Sequence, residues 1–361
     1  MILQDLSKAG VSIWLDDLSR DRIQNGTLKK LIAESSVVGV TTNPSIFSAA
    51  ISKSALYAPD IKKFATAGQS VAQITTSLTT DDVRSACDLF SEVYKNSNGV
   101  DGRVSIEVDP DLAHDIDATV ARGLELWKII DRDNLMIKVP ATIPGLSAIT
   151  KLTSLGISVN VTLIFSVERY RAVAEAYLVG LEQRLASGGE ISQIHSVASS
   201  FVSRVDTEID MQLSKIEGGS SLHGKAGLAN SHLVYQAFSN AFHSPRFDSL
   251  QERGANLQRP LWASTGVKDK TQDPTKYVVE LVAPTVVNTM PEATLDIVRE
   301  TGIVRGDTVT EQYGQAREIL AALSKIGINL PEVFLKLENE GLAKFEQSWS
   351  ELLQSIATVA N

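Results

Sequence analysis

In the run LMIKVP a lysine, Lys138, is set among Met136, Ile137, Val139 and Pro140. An ammonium in such surroundings loses its hydration and gains nothing from its neighbours in return. Chemistry supplies a reason to keep it. A primary amine of ordinary pKa ~10.4 becomes a nucleophile once low dielectric or nearby positive charge favours its neutral form, and a neutral amine condenses with a ketone to give an iminium. The iminium withdraws electrons and lets the carbon–carbon bond one position away break. Carboxylates must then move protons, and two stand at comparable places in other runs, Asp16 closing SIWLD and Glu107 in RVSIEVD. The competing role for Lys138 is a core ion pair with one of them.

Those runs belong to a pattern. Short apolar stretches at residues 13–16, 37–41, 103–108, 135–139, 158–161, 195–199, 260–264 and 280–287 alternate with longer segments of helical period, such as residues 111–130, 166–185 and 227–242. Strand then helix, eight times, predicts an α/β fold, a (β/α)8 TIM barrel. Extra material follows the second run (residues 44–98) and the sixth (residues 201–259), and the chain ends in two amphipathic segments, residues 308–327 and 331–360. Without a glycine- or serine-rich linker, residues 1–361 read as one domain, with 308–361 a C-terminal helical extension packed on the barrel.

Successive residues of a strand face opposite sides. If helices cover the aliphatic face, Trp14 and Asp16, Gly39 with Thr41 and Asn43, Ser105 and Glu107, Met136 and Lys138, Ser158 with Asn160 and Thr162, Val197 and Ser199, and Trp262 with Ser264 turn inward; Leu163 turns outward with Val159 and Val161. The polar members collect at the carboxyl ends of the strands, where barrels of this kind carry their active sites. Asp16, Asn43, Glu107, Lys138, Asn160, Thr162, Ser199 and Ser264 are therefore expected to line one pocket. A half-exposed antiparallel sheet would also alternate, but its strands are joined by short turns rather than helices.

Other chemistries find no footing. The five histidines are scattered without metal-ligand spacing, and neither GxGxxG nor a Walker A loop occurs, so no metal and no cofactor is expected. A net charge of -9 argues against nucleic acid as a partner. No apolar span of membrane length and no signal-peptide pattern is present, and the single cysteine, Cys87, forms no intramolecular disulfide, so the expected location is the cytoplasm.

Five blocks in order resemble the transaldolase family: GVTTNPSIF (Gly39 to Phe47), GRVSIEVDP (Gly102 to Pro110), LMIKVPATIPGLSAI (Leu135 to Ile149), VNVTLIFS (Val159 to Ser166) and VASSFVSRVD (Val197 to Asp206). The resemblance spans residues 13–291. It implies transfer of a dihydroxyacetone unit from sedoheptulose 7-phosphate or fructose 6-phosphate to glyceraldehyde 3-phosphate or erythrose 4-phosphate, in the non-oxidative pentose phosphate pathway. Carried over block by block, Lys138 forms the Schiff base and Asp16, rather than Asp17, takes the proton from the hydroxyl at carbon 4. Glu107 works through a water also held by Thr162. Asn43 and Asn160, helped by Thr41 and Ser199, bind the three-carbon fragment. Arg204 falls where the family binds phosphate, and Ser264 matches a further position. The family's second arginine is absent from WASTGVKD, where Lys268 is near enough to replace it as a point charge. Two rivals are a fructose 6-phosphate aldolase, a lyase using the same lysine, and a catalytically silent sugar-phosphate-binding barrel. Whether the extension covers the pocket or joins two copies is open, as is the choice between monomer and homodimer.

Overall fold

The computed structural model describes residues 2–360. Its eight strands are β1 (Val11–Leu15), β2 (Val37–Val40), β3 (Arg103–Glu107), β4 (Leu135–Pro140), β5 (Val159–Ile164), β6 (Ser196–Phe201), β7 (Gln258–Ala263) and β8 (Val286–Met290). All neighbours pair in parallel and in sequence order, and β8 returns to β1, which closes a TIM barrel. Ile13, Leu15, Val104, Ile106, Ile137, Val139, Val159 and Val161 pack outward into the helical ring, while Trp14, Met136, Val197, Leu261 and Val287 share a separate inner cluster. The inner packing is tight at Gly39. A β-carbon there would lie 2.6 Å from the Trp14 indole, an overpacking worth ~1–3 kcal/mol.

Seven of the eight sequence runs overlap their strands with small shifts in bounds; the eighth is misplaced. Residues 276–279 form the short helix Lys276–Val279, and β8 begins only at Val286. Leu281, Val282 and Ala283 are fully buried, which is what made the run look like a strand, but they pack as a turn whose Leu281 carbonyl accepts the Trp262 indole N–H at 3.1 Å. That bond exposes a second error. Trp262 belongs to the outer cluster, and Leu261 and Ala263 to the inner one, so the inward parity assigned to Trp262 was reversed. Leu163 was likewise reversed: the β5–β6 register shifts between Val161 and Ile164, Leu163 takes a left-handed φ of 60°, and its side chain joins the inner cluster.

The extension forms the helices Tyr313–Lys325 and Leu330–Ala360. The first packs on Ala226–Phe242, the second chiefly on Pro44–Lys53 and also on Val71–Leu89 and Ser203–Leu213. The 31-residue helix buries Leu337, Gly341, Phe345, Ser348, Leu352 and Ile356, a stripe at spacings of three and four that faces the barrel's carboxyl end. Among the described residues, no helix is long and apolar enough to cross a membrane.

Candidate active site

At the amino end of the barrel Arg259 is paired with Asp101, and the buried Arg103 donates to the Gly99 and Asp133 carbonyls. Arg259 donates to Asp101 at 3.0 Å and to Ser12 Oγ at 3.1 Å. Burial, with Arg103 and Arg259 nearby, lowers His195 to about 3, so its ring is neutral.

The carboxyl end holds a cavity of about 180 Å³ lined by Asp16, Thr41, Asn43, Lys138, Thr162, Ser199, Arg204, Ser264 and Lys268. Nine of the eleven expected site residues thus meet in one pocket. Glu107 and Asn160 lie just beneath it, both buried. A larger space of about 630 Å³, between the helices Val167–Ala186 and Leu330–Ala360, contains none of these residues.

Lys138 points up from β4. Its Nζ donates to the Thr42 carbonyl at 3.0 Å and pairs with Glu107 Oε2 at 3.5 Å. The core ion pair therefore exists, at the floor of a cavity. Neither Glu107 oxygen has a hydrogen bond, and the buried Thr162 hydroxyl has none either. Unpaired buried acceptors and donors are costly and concentrate where a guest molecule is to be bound. Burial drives the Glu107 carboxyl up to about 7, against the opposing pull of Lys138. The Asp16 carboxyl is also raised by burial, opposed by Lys138 and by the hydrogen bond from Thr41 Oγ1 at 2.7 Å. Both carboxyls near this amine are raised by burial, and Glu107, near 7, is suited to carry protons at neutral pH. Asp17 turns away to Arg22 at 2.6 Å.

Asn43 caps the helix Pro44–Lys53 by accepting from Ile46 N–H at 3.0 Å through Oδ1, so its amide nitrogen is left for the pocket. Asn160 is placed differently from expectation. Its Nδ2 donates to Ser105 at 2.9 Å and its Oδ1 accepts from Ser199 at 2.7 Å, so it braces Ser199 and is not part of the cavity wall. Ser264 reaches the site by another route than strand parity. β7 ends at Ala263, and a left-handed φ of 55° swings Ser264 inward, where its Oγ lies 2.9 Å from that of Ser203. Among the described residues Arg204 makes no salt bridge and no side-chain hydrogen bond, although the Asp16 carboxyl lies near enough to attract it. Its guanidinium lies over the Phe201 ring at 4.9 Å, a half-buried cation at the wall of the cavity.

Sequence reasoning missed Thr289 and Phe345. Thr289 Oγ1 lies 2.7 Å from Thr41 Oγ1; β8 parity would have found it had the eighth strand been placed at residue 286. Phe345 comes from the C-terminal helix and places its ring centroid 5.9 Å from Lys138 Nζ. The same helix approaches Arg204 at Gly341, where a β-carbon would stand 3.0 Å from Leu163 and 3.4 Å from Arg204 Nη1. It covers the pocket mouth. Among the described residues no cluster of three metal-ligating side chains occurs.

Barrel and pocket together define the class: a (β/α)8 enzyme built around a buried lysine flanked by two carboxyls. The particular family follows from comparison. Residues 13–356 match the family model described as Transaldolase/Fructose-6-phosphate aldolase, and the chain belongs to that family. It is 57% identical over 355 residues to a transaldolase of Mycolicibacterium smegmatis, covering 98% of this chain and 96% of the relative. It is 55% identical over 354 residues to a transaldolase of Saccharopolyspora erythraea, covering 98% and 96%. A Mycobacterium tuberculosis transaldolase is 55% identical over 355 residues, covering 98% and 95%.

The raised Glu107 carboxyl has a kinetic consequence. If it must accept a proton, activity requires its ionised form and is lost as pH falls through its folded-state pKa. The expected kcat profile has an acid limb with its midpoint near 7, matching that carboxyl. In Glu107→Gln the limb near 7 should be lost, with kcat reduced ~10²-fold. Steady-state rates from pH 5 to 9 check this; a limb near 7 that persists in Glu107→Gln would assign it elsewhere.

Proposed function

We propose that the protein is a transaldolase that carries a dihydroxyacetone unit on Lys138. The observation that supports this most is the pairing of Lys138 Nζ with Glu107 at 3.5 Å at the base of the pocket that holds Lys138, Asp16 and Arg204. Lys138 adds to the ketose carbonyl and passes its proton to Glu107, which returns one as water leaves the carbinolamine; Thr162 helps hold that water. Asp16 takes the proton of the hydroxyl at carbon 4, the bond between carbons 3 and 4 breaks, and the aldose phosphate departs. The electron pair remains on the lysine-bound fragment as an enamine, which attacks the acceptor aldehyde; Asp16 then protonates the new alkoxide. Asn43, Asn160, Thr41 and Ser199 orient the fragment, and Arg204, Ser264 and Lys268 hold the phosphate. On this reading the protein works in the non-oxidative pentose phosphate pathway, in the cytoplasm, as one barrel domain whose extension contributes Phe345 to the site.

Transfer is separated from lyase action by product. With fructose 6-phosphate and erythrose 4-phosphate, the expected product is sedoheptulose 7-phosphate. Fructose 6-phosphate alone should release dihydroxyacetone at only a small fraction of that rate. Release at the transfer rate would establish a lyase, and neither product would leave a binding barrel.

A further inference from the structure

The helix Ser203–Leu213 carries Arg204 and, two residues on, a carboxylate that the chemistry above does not use. Asp206 is 3% exposed. An isolated buried carboxylate is expensive, and this one is saturated with donors from two other segments. Its Oδ1 accepts from Gly227 N–H at 2.7 Å; its Oδ2 accepts from Tyr277 OH at 2.5 Å and from Lys276 Nζ at 3.2 Å. Lys276 also donates to the Gly224 carbonyl at 2.5 Å and to Gln272 Oε1.

Residues 264–275 link β7 to the helix Lys276–Val279 and bring Ser264, Gly266 and Lys268 to the pocket. The same Ser203–Leu213 helix fastens both ends of this loop. At the start, Ser203 N–H donates to the Ser264 carbonyl at 3.1 Å; at the far end, Asp206 holds Lys276 and Tyr277. Between these anchors the side-chain hydrogen bonds of Asp269 and Asp273 are local, to Thr271, Gln272 and Thr275, while Thr265 bonds the Thr289 carbonyl at 3.1 Å and Gln272 accepts from Lys276 at the far anchor. Lys268 Nζ folds back to 3.8 Å from where a β-carbon of Gly266 would sit. Neither Lys268 nor Arg204 forms a salt bridge among the described residues, and only the more distant Asp16 attracts Arg204.

We infer that Asp206 is a positioning residue: by tying the β7 loop to the helix of Arg204, it fixes the separation of the two cations that grip the substrate phosphate. The inference rests on the phosphate reading of Arg204 and Lys268. An arginine fork holds its own geometry, whereas a lysine is a point charge on a flexible stem. A site pairing one of each depends on how firmly the lysine's loop is held.

The test compares erythrose 4-phosphate with unphosphorylated erythrose as acceptor, at saturating donor, for Asp206→Asn, Tyr277→Phe and Arg204→Ala. Tyr277→Phe and Asp206→Asn are expected to raise KM for erythrose 4-phosphate ~10-fold with kcat within ~2-fold of the parent, and to leave KM for erythrose unchanged. Equal losses with both acceptors, or no change in either KM, would overturn the inference. Should Asp206→Asn fail to fold, as seen by near-ultraviolet circular dichroism, Tyr277→Phe decides by the same criterion. Arg204→Ala reports on the underlying reading: if it does not weaken the phosphorylated acceptor selectively, the phosphate assignment itself is wrong, whatever the clamp does.

Discussion

Lys138→Ala is expected to lose transfer activity by at least ~10³-fold, because covalent catalysis has no substitute nucleophile in the pocket. The effect on folding should be smaller. Removing one member of a buried pair commonly costs ~3–5 kcal/mol by stranding the other charge. Here the stranded group is Glu107, whose carboxyl already lies near 7 through burial and rises further once the Lys138 charge that lowers it is gone. Protonation at neutral pH then limits the penalty. Lys138→Met, which keeps most of the side-chain volume, should be as inactive and better folded. Activity and thermal unfolding measured side by side check both statements; an alanine variant with residual turnover above a hundredth of the parent would contradict the nucleophile assignment.

The second large effect concerns Asp16. Asp16→Asn preserves the shape and the hydrogen bond from Thr41 Oγ1 but removes the base, and kcat is expected to fall ~10²–10⁴-fold. The loss should be confined to one step. Lys138 and Glu107 remain, so the ketose still condenses, while the bond between carbons 3 and 4 no longer breaks. Borohydride added to this variant with fructose 6-phosphate should therefore fix the intact six-carbon ketose on the protein rather than a three-carbon fragment. An adduct of three carbons, formed at the parent rate, would mean that another group takes the proton.

Much of the site was legible because the period of a β-strand is two, and because a barrel turns one parity of every strand toward the same axis. Asp16, Thr41, Glu107, Lys138, Thr162 and Ser199 needed only that rule. Where it failed, the backbone departed from regular extension. Leu163 and Ser264 both take left-handed φ values, and a residue in that region redirects its side chain without leaving a mark in an alternating pattern. Ser264 was assigned correctly with the wrong reason, through a Trp262 that faces outward. The misplaced eighth strand arose because the buried turn at Leu281 to Ala283 is as apolar as a strand, and burial rather than extension is what hydrophobicity reports.

Long-range cover was the least legible part. The helical period of residues 331–360 revealed an amphipathic helix, now seen as Leu330–Ala360, but periodicity states only that one face is buried. Nothing in residue spacing says that Phe345 lies over Lys138, some two hundred positions away in the chain. The clamp at Asp206 was equally hidden, since Gly227, Lys276 and Tyr277 are joined to it only by the fold.

The central claim is that Lys138 forms the Schiff base and retains a three-carbon fragment. The most direct measurement is to incubate the protein with fructose 6-phosphate, add borohydride, and locate the modified peptide by mass spectrometry, with Lys138→Ala as the control. The predicted result is a reduced dihydroxyacetone unit on Lys138, absent from the control. No adduct, or one on another lysine that survives in Lys138→Ala, would contradict the account and return Lys138 to the role of a buried structural cation paired with Glu107.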